Sequence, residues 1–255
     1  MNFLKQLKYV IFVLLPVCLL AMQQDTGTLP ALDKNKAPIL WQGAPVVLEW
    51  YRITDYKTYF DKQMRLASVV AESFADEAID FLLDEKLQIK KEYVDTIKEL
   101  SKNDREEIES LIKASLLSRK ERVEYVRKRF LEMLEKAKTN TQEIFPGVSF
   151  IVIAKSKGND ILGFAIFIQE DKELQEAKAL ELDLLAIPPE ARGYKLSWPL
   201  VFSALEKQLM PEIKYIFLGT KSWNTTAHAV YKKLGFTVCK IGKGNISFEY
   251  EVKNK

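Results

Sequence analysis

Cysteine and histidine are scarce in this 255-residue chain, which contains two cysteines and one histidine. Cys18 and Cys239 cannot build the disulfide framework of a small secreted scaffold or a cysteine-based zinc site. The single histidine, His228, excludes a multi-histidine metal site, and we expect it to be an exposed surface residue rather than a catalytic one. Cys239 falls in a predicted strand and is expected to be a buried small apolar residue. We therefore predict no bound metal.

An excess of charge of either sign is also missing. The 38 lysines and arginines nearly balance the 35 aspartates and glutamates, which leaves a net charge of +3. No dense basic stripe with interleaved aromatic residues occurs, so we expect no nucleic-acid partner. Because 47% of the residues are hydrophobic, the chain is long enough for one sizeable domain plus additions.

Apolar runs of more than ten residues are limited to Tyr9–Met22, which follows two lysines. This run is shorter than the roughly twenty residues that a membrane-spanning helix needs. We predict that residues 1–24 are a signal peptide cleaved near Ala21, with an uncleaved membrane anchor or a translation start at Met22 as alternatives. The protein is exported or membrane-associated if this signal is genuine and cytoplasmic otherwise. Residues 25–45 are predicted to be a linker or an extended lead-in.

Glycine and proline do not occur in residues 62–140, which are highly charged and predicted to be helical. Ser101–Asp104 is the clearest break and supplies a helix cap. Apolar residues then recur every three to four positions as far as Ala137, with an interruption at Arg119. We interpret this region as a helical insertion packed against the domain. The alternative is a coiled-coil-like hairpin that binds a partner protein or covers the substrate groove.

Short apolar runs on either side of the helical region predict β-strands. They occupy residues 46–53, 148–154, 161–168, 237–241 and 246–252. Turn residues join the second run to the third and the fourth to the fifth, so each pair is expected to form a hairpin. Gly163, inside the third run, suggests a bulge or a close backbone approach.

The most informative stretch runs from Glu181 to Phe236. The apolar run Leu182–Ile187 predicts a strand, the following amphipathic segment a helix ending near Pro211, and Tyr215–Leu218 a second strand. Strand, crossover helix and strand make a βαβ unit with parallel strands. Backbone amides at the start of such a helix lack partners, so a phosphate-bearing ligand is expected there.

Two motifs in this stretch resemble signatures of the GNAT N-acetyltransferase superfamily. PEARGYKLS at 189–197 is similar to the family's R/Q-x-x-G-x-G/A pyrophosphate loop, and NTTAHAVYKKLGF at 224–236 is similar to its second signature. The resemblance covers residues 146–252 well, 46–60 loosely and 62–140 not at all. It implies a GNAT-like domain over residues 46–255. The implied fold class is α+β, a mixed and mostly antiparallel sheet flanked by helices with a long helical insertion after the first strand.

The resemblance implies acetyl-CoA as cosubstrate. The implied cofactor-binding residues are Leu185, Ile187, Arg192, Gly193, Tyr194, Lys195, Leu196, Ser197 and Asn224. The backbones of Leu185 and Ile187 would bond the pantetheine arm in the manner of an added strand. Lys195 departs from the family, which has Gly there, and its ammonium could face a phosphate as a point charge. Pro199 removes one amide donor from the anion site.

The family mechanism implies direct attack by a primary amine, without a covalent enzyme intermediate. Glu181 resembles the general base and Tyr231 the general acid, while Asp183 is an alternative carboxylate that strand alternation places on the face of Glu181. The implied acceptor is an amine-bearing small molecule or protein. The rival interpretation is a catalytically impaired protein of this fold that binds acyl-CoA or works as an interaction module through residues 62–140.

Overall fold

The computed structural model describes residues 26–53, 56–76, 83–84, 86, 88–98, 102–140, 148–169, 172–206, 213–242 and 244–252. The predicted signal peptide or anchor at residues 1–24 lies outside these ranges. Among the described helices, none combines the length and the apolar character needed to cross a membrane.

An eight-stranded sheet forms the centre of the molecule. Its strands are β1 (Thr26–Pro30), β4 (Val47–Ile53), β5 (Val148–Lys155), β6 (Ile161–Gln169), β7 (Ala179–Ala186), β8 (Tyr215–Lys221), β9 (Thr237–Ile241) and β10 (Asn245–Glu251). They are arranged in the order β1-β4-β5-β6-β7-β8-β10-β9. Only β7 and β8 pair in parallel; the other neighbours are antiparallel. The short strands β2 (Leu40–Trp41) and β3 (Ala44–Pro45) pair separately. The predicted mixed and mostly antiparallel sheet is confirmed.

Helices cover both faces of the sheet. They are α1 (Tyr56–Phe74), α2 (Lys91–Lys98), α3 (Lys102–Ser115), α4 (Arg119–Asn140), α5 (Lys172–Glu176), α6 (Ser197–Glu206) and α7 (Thr225–Leu234). On one face, Leu66 of α1 and Leu134 of α4 are buried in a cluster with sheet residues such as Phe164. On the other face, Leu200 of α6 and Leu234 of α7 belong to the larger core around Phe248.

Two helices of the helical region, α1 and α4, pack against one face of the sheet. Helices α1 and α4 contact each other extensively over the sheet. The interruption at Arg119 is a helix boundary rather than a flaw in one long helix. The Glu121 carboxylate accepts the Ser118 amide at 2.8 Å, and the Ser118 hydroxyl accepts the Glu121 amide at 3.4 Å. This reciprocal pair is a capping box that starts α4.

Residues 26–45, within the predicted linker or lead-in, contribute strand β1 to the sheet edge. All five of its residues pair with β4. Gly27 is required because a Cβ there would lie 2.6 Å from Nε1 of the Trp50 indole. Ala31 and Ile39 are buried in the main core, so the segment is anchored by packing as well as by hydrogen bonds.

Two single-residue predictions have different outcomes. The predicted close backbone approach at Gly163 is confirmed, because a Cβ on this residue would lie 2.9 Å from the Ala186 carbonyl oxygen. The prediction that Cys239 is buried is wrong: the thiol is exposed. Its strand, β9, is the edge of the sheet and all five of its residues are exposed, so no second layer covers it.

Candidate active site

The site begins where the parallel strands β7 and β8 separate. Their pairing is limited to three residue pairs, from Ala179 with Tyr215 to Glu181 with Phe217. The remainder of β7 stays paired with β6 on its other side as far as Ala186. The edge of β7 that faces β8 is therefore open from Leu182 onward, and the two strands leave a cleft between them.

A bulge at Asp183 reverses which residues of β7 face each layer. Leu182 pairs with Phe167 and Leu184 with Ile166, so Asp183 is the extra residue. Before the bulge, Leu180 and Leu182 lie in the core beneath α6 and α7. Beyond it, Leu185 and Ile187 pack against that same core, while Leu184 packs against the α1–α4 side.

The bulge also separates the two candidate carboxylates. Glu181 alternates with Leu180 and Leu182 and so points to the α1–α4 face of the sheet. Asp183 is exposed and lies at the bulge itself. The alternation argument that placed Asp183 on the face of Glu181 therefore does not apply at this position.

The loop after β7 exposes a series of backbone amides. A short 3-10 helix, Pro189–Ala191, leads into Gly193 with φ +87° and Lys195 with φ +60°. When residues with positive φ alternate with residues with negative φ, successive backbone amides point into one concave surface. Such a surface can bind an anion. In the described structure, the amides of residues 193–198 donate to no backbone carbonyl. These amides are available to an anion, and we call residues 189–198 the anion loop for this reason.

Arg192 braces this loop against helix α1. Its Nη2 donates to the Ser73 carbonyl oxygen at 2.8 Å, and its Nε donates to the Ile187 carbonyl oxygen at 3.3 Å. Ser73 is in the last turn of α1, where carbonyl groups lack helical partners and a cation is favoured. Two of the Arg192 donors are thus committed to the protein itself.

Helix α7 forms the opposite wall and places Tyr231. The Asn224 side chain accepts the Ala227 amide at 3.0 Å, which confirms that Asn224 caps this helix. Gly235 ends it with φ +96°, and the Phe236 amide donates to the Tyr231 carbonyl oxygen at 3.0 Å. Both helix ends are therefore fixed by local hydrogen bonds.

Tyr231 combines an apolar setting with an available hydroxyl. Its ring contacts those of Phe236 and Phe248 at centroid distances of 5.9 and 5.8 Å. Burial raises the pKa of its phenol to about 12, which extends the pH range of the protonated hydroxyl well above neutral. Among the described residues, none pairs with this hydroxyl by a hydrogen bond.

One cavity of about 620 Å³ connects these features. Its volume is within the range of small-molecule sites. The predicted cofactor-binding residues that line it are Leu185, Ile187, Arg192, Gly193, Lys195, Leu196, Ser197 and Asn224. Tyr231 lines it as well. Two predicted site residues are not in its wall: Tyr194, whose ring contacts Trp41 at 4.7 Å, and Glu181, at the last pair before the cleft.

Several lining residues were not anticipated from the sequence. They are Asp33, Lys34 and Asn35 from the N-terminal segment, Ser73 and Phe74 from the end of α1, Trp198 from α6 and Lys233 from α7. Lys233 lies inside the second motif, but a helix places side chains two positions apart on different faces, so its distance from Tyr231 gave no signal. The N-terminal and α1 residues are remote in sequence, and only the tertiary fold brings them to the cavity.

His228 is not among the residues that line this cavity. It is half-buried rather than exposed, and its Nε2 is 3.0 Å from the Lys221 carbonyl oxygen. Burial lowers the pKa of its imidazole, and the charge of Lys232 adds to this effect. Within the described residues, no group of three or more histidine, cysteine, aspartate or glutamate side chains could hold a metal ion.

The model of the Acetyltransferase (GNAT) family matches residues 115–236. This match includes both sequence motifs, β7, the anion loop and Tyr231, and it begins inside the region 62–140, where the motifs gave no resemblance. Residues 115–236 are therefore similar to a GNAT acetyltransferase domain. No curated protein matches the sequence.

Three similar solved structures are distant from this chain in sequence. PaiA N-acetyltransferase from Thermoplasma acidophilum in complex with coenzyme A is 17% identical, with 80% of this chain and 99% of that chain covered and a TM-score of 0.42. A GNAT family acetyltransferase from Elizabethkingia anophelis with acetyl-CoA bound is 17% identical, covering 48% and 82%, with a TM-score of 0.36. Nourseothricin acetyltransferase is 18% identical with a TM-score of 0.34; the match spans 40% of this chain and 65% of that one, slightly less than two thirds.

Proposed function

We propose that this protein transfers the acetyl group of acetyl-CoA to a primary amine by direct attack of the amine on the thioester. One cavity carries the proposal. It joins the open edge of β7, the unbonded amides before α6 and the side of α7 that holds the Tyr231 hydroxyl. A long ligand with a peptide-like arm, a phosphate group and a thioester would match these three parts in that order. Acetyl-CoA has this composition and supplies the activated acetyl group.

The proposed cofactor contacts divide between backbone and side chains. The backbone of Leu185 and Ile187, on the open edge of β7, would pair with the amides of the pantetheine arm. The amides of residues 193–198 would hold the pyrophosphate at the start of α6. Lys195 is exposed and would approach a phosphate through its ammonium, since its Cβ takes the place of a glycine hydrogen.

We assign the proton that the leaving thiolate needs to Tyr231. Its phenol is protonated at neutral pH, and because burial raises the pKa to about 12 it stays protonated at alkaline pH as well. The hydroxyl would donate this proton to the sulfur as the carbon–sulfur bond breaks, while the amine nitrogen bonds to the carbonyl carbon. The amide of Leu185 is a candidate donor to the carbonyl oxygen.

We assign removal of the amine proton to Glu181, acting through water. This carboxylate is at the last β7–β8 pair and points to the face opposite the cofactor cavity. An acceptor that enters from the α1–α4 side would meet it at the point where the strands separate. The assignment implies that cofactor and acceptor reach the reaction centre from opposite faces of the sheet.

The competing proposal is a protein of this fold without catalysis, in which Lys195 prevents cofactor binding and the helical region binds a partner. Calorimetry with acetyl-CoA separates the two, and we expect micromolar affinity, about −8 kcal/mol. A panel of polyamines, aminoglycosides and peptide amines, followed by mass spectrometry, would then identify the acceptor class. Lack of acetyl-CoA binding would favour the competing proposal.

The role of Glu181 has its own test. We expect Glu181→Gln to lower kcat about 100-fold, the usual contribution of a general base, with acetyl-CoA affinity unchanged. Asp183→Asn is the matched control, because it removes a carboxylate two residues away at the bulge. If both variants lose the same activity, or if neither does, the base is not Glu181.

A further inference from the structure

The N-terminal segment Thr26–Pro45 lies directly against the anion loop. Strand β1 fixes its start to the sheet, and Ala31 and Val46 are buried in the main core at either side of the intervening turn. This packing makes the position of the turn a fixed part of the domain. Three of the turn residues, Asp33, Lys34 and Asn35, line the same cavity as the anion loop.

Asp33 organises the turn and also reaches across to the loop. Its carboxylate accepts the amides of Asn35 at 2.9 Å and Ala37 at 3.0 Å, and its Oδ2 is 3.7 Å from the Lys195 ammonium. The amide bonds lower the pKa of this carboxyl group, and Lys195 adds to the effect, so Asp33 is ionised at neutral pH. Asp33 therefore ties the substituted position of the anion loop to the N-terminal segment.

A second contact holds the loop from the neighbouring position. The ring of Trp41, in β2, lies 4.7 Å from the ring of Tyr194. Trp41 packs against the main core, so it presents a fixed surface to Tyr194. The two contacts involve adjacent loop residues, Tyr194 and Lys195, and both come from the same segment.

The charge that lines the cavity is mostly positive. Four cationic side chains contribute to its described wall, namely Lys34, Arg192, Lys195 and Lys233, against the single carboxylate of Asp33. Arg192 already donates to two carbonyl groups, and the Asp33 carboxylate is engaged by two amides and Lys195. Lys34, from the N-terminal segment, and Lys195, from the anion loop, thus place two ammonium groups in the cavity wall.

We propose that the N-terminal segment is a working part of the cofactor site. In this proposal Lys34 binds a phosphate of coenzyme A directly, and Asp33 and Trp41 act as positioning residues that hold Lys195 and Tyr194 of the anion loop. The inference rests on the proposed function and extends it, because it assigns phosphate recognition to residues outside the two sequence motifs. It gives the segment a role in binding the nucleotide end of the cofactor.

The test is calorimetric titration of the full-length chain with coenzyme A and with 3′-dephospho-coenzyme A. We expect Lys34→Gln to weaken coenzyme A binding about fivefold at low salt, as for a partly exposed charge–phosphate contact. The loss should shrink as salt is added, because exposed charges are screened. Lys36→Gln is the matched control: it removes the same charge from the same turn at a residue that is not in the cavity wall.

The two ligands identify the phosphate. A fivefold loss that disappears with 3′-dephospho-coenzyme A assigns Lys34 to the 3′-phosphate, and an equal loss with both ligands assigns it to the pyrophosphate. Either result supports the proposal. Equal affinities of Lys34→Gln and wild type, or an equal loss in Lys36→Gln, would overturn it. If the wild type binds neither ligand, the proposed function fails together with this inference.

Discussion

Tyr231→Phe tests the proposed acid most directly, because the change removes one hydroxyl and little else. The ring contacts with Phe236 and Phe248 remain, and no hydrogen bond to a described residue is lost. The free energy of unfolding should therefore stay within about 0.5 kcal/mol of wild type. Acetyl-CoA affinity should also be unchanged, because the hydroxyl acts on the leaving sulfur rather than on the bound ground state.

Turnover, by contrast, should fall about 100-fold. Positioned general acids contribute roughly 10²- to 10⁴-fold, and each factor of ten corresponds to about 1.36 kcal/mol of activation free energy. The pH profile gives a second signature. At pH 9 a phenol with the ordinary pKa of 10.0 would be about 9% ionised, whereas a pKa of about 12 leaves about 0.1% ionised. The wild-type kcat should therefore show no loss from this group up to pH 10.

The assay is steady-state kinetics from pH 6 to 10 with the acceptor found in the amine screen, together with calorimetry and urea unfolding. Tyr215→Phe is the control, since Tyr215 lies in β8 at the first β7–β8 pair and is not in the cavity wall. Wild-type turnover in Tyr231→Phe would refute the assignment. So would equal losses in both variants, or a wild-type kcat that falls with an apparent pKa near 10.

Two further predictions concern stability. Lys195→Gly should raise the free energy of unfolding, measured in urea, by roughly 0.5–1 kcal/mol. The reason is that a non-glycine residue at φ +60° is strained, whereas the exposed contact between Lys195 and Asp33 contributes little. A lower stability of the variant would mean that this contact outweighs the strain. Because burial lowers the folded pKa of His228, its contribution to stability is present above the unfolded value of 6.5 and is lost as pH falls below it. His228→Gln should therefore show a smaller loss of stability between pH 7 and 5 than wild type, and an identical loss would contradict the direction of the shift.

Local sequence patterns were sufficient for most of the sheet. Val47–Ile53 was expected at 46–53 and Ile161–Gln169 at 161–168, because alternating apolar residues bounded by turns leave few other structures. The parallel pair β7–β8 followed from the strand–helix–strand order. The capping box at Ser118 has a sequence pattern, a serine followed three residues later by glutamate. It was not predicted, because the apolar spacing on both sides of it also fits one continuous helix.

The parts that could not be predicted depend on distant contacts. Strand β1 contains Gly27 and Pro30, which disfavour a strand locally. It forms because it pairs with the edge of β4 and because Gly27 leaves room for the Trp50 indole. The bulge at Asp183 is set by the register with β6 and has no sequence signal of its own. Asp33, Ser73 and Lys195 are far apart in the chain, so the wall they share depends on the whole fold.

The short β7–β8 ladder has a mechanical consequence. A ladder of three residue pairs joins a five-stranded portion of the sheet, β1 to β7, to a three-stranded portion, β8 to β10. The Lys214 amide adds one hydrogen bond to the Lys178 carbonyl oxygen just before this ladder. Few hydrogen bonds then resist a change in the angle between the two portions, although the core beneath α6 and α7 spans both. A ligand lying between the separated strands would contact both portions at once. Its binding would stiffen the sheet and slow the opening of the β9–β10 hairpin, so occupancy of the cleft and rigidity of the molecule are expected to rise together.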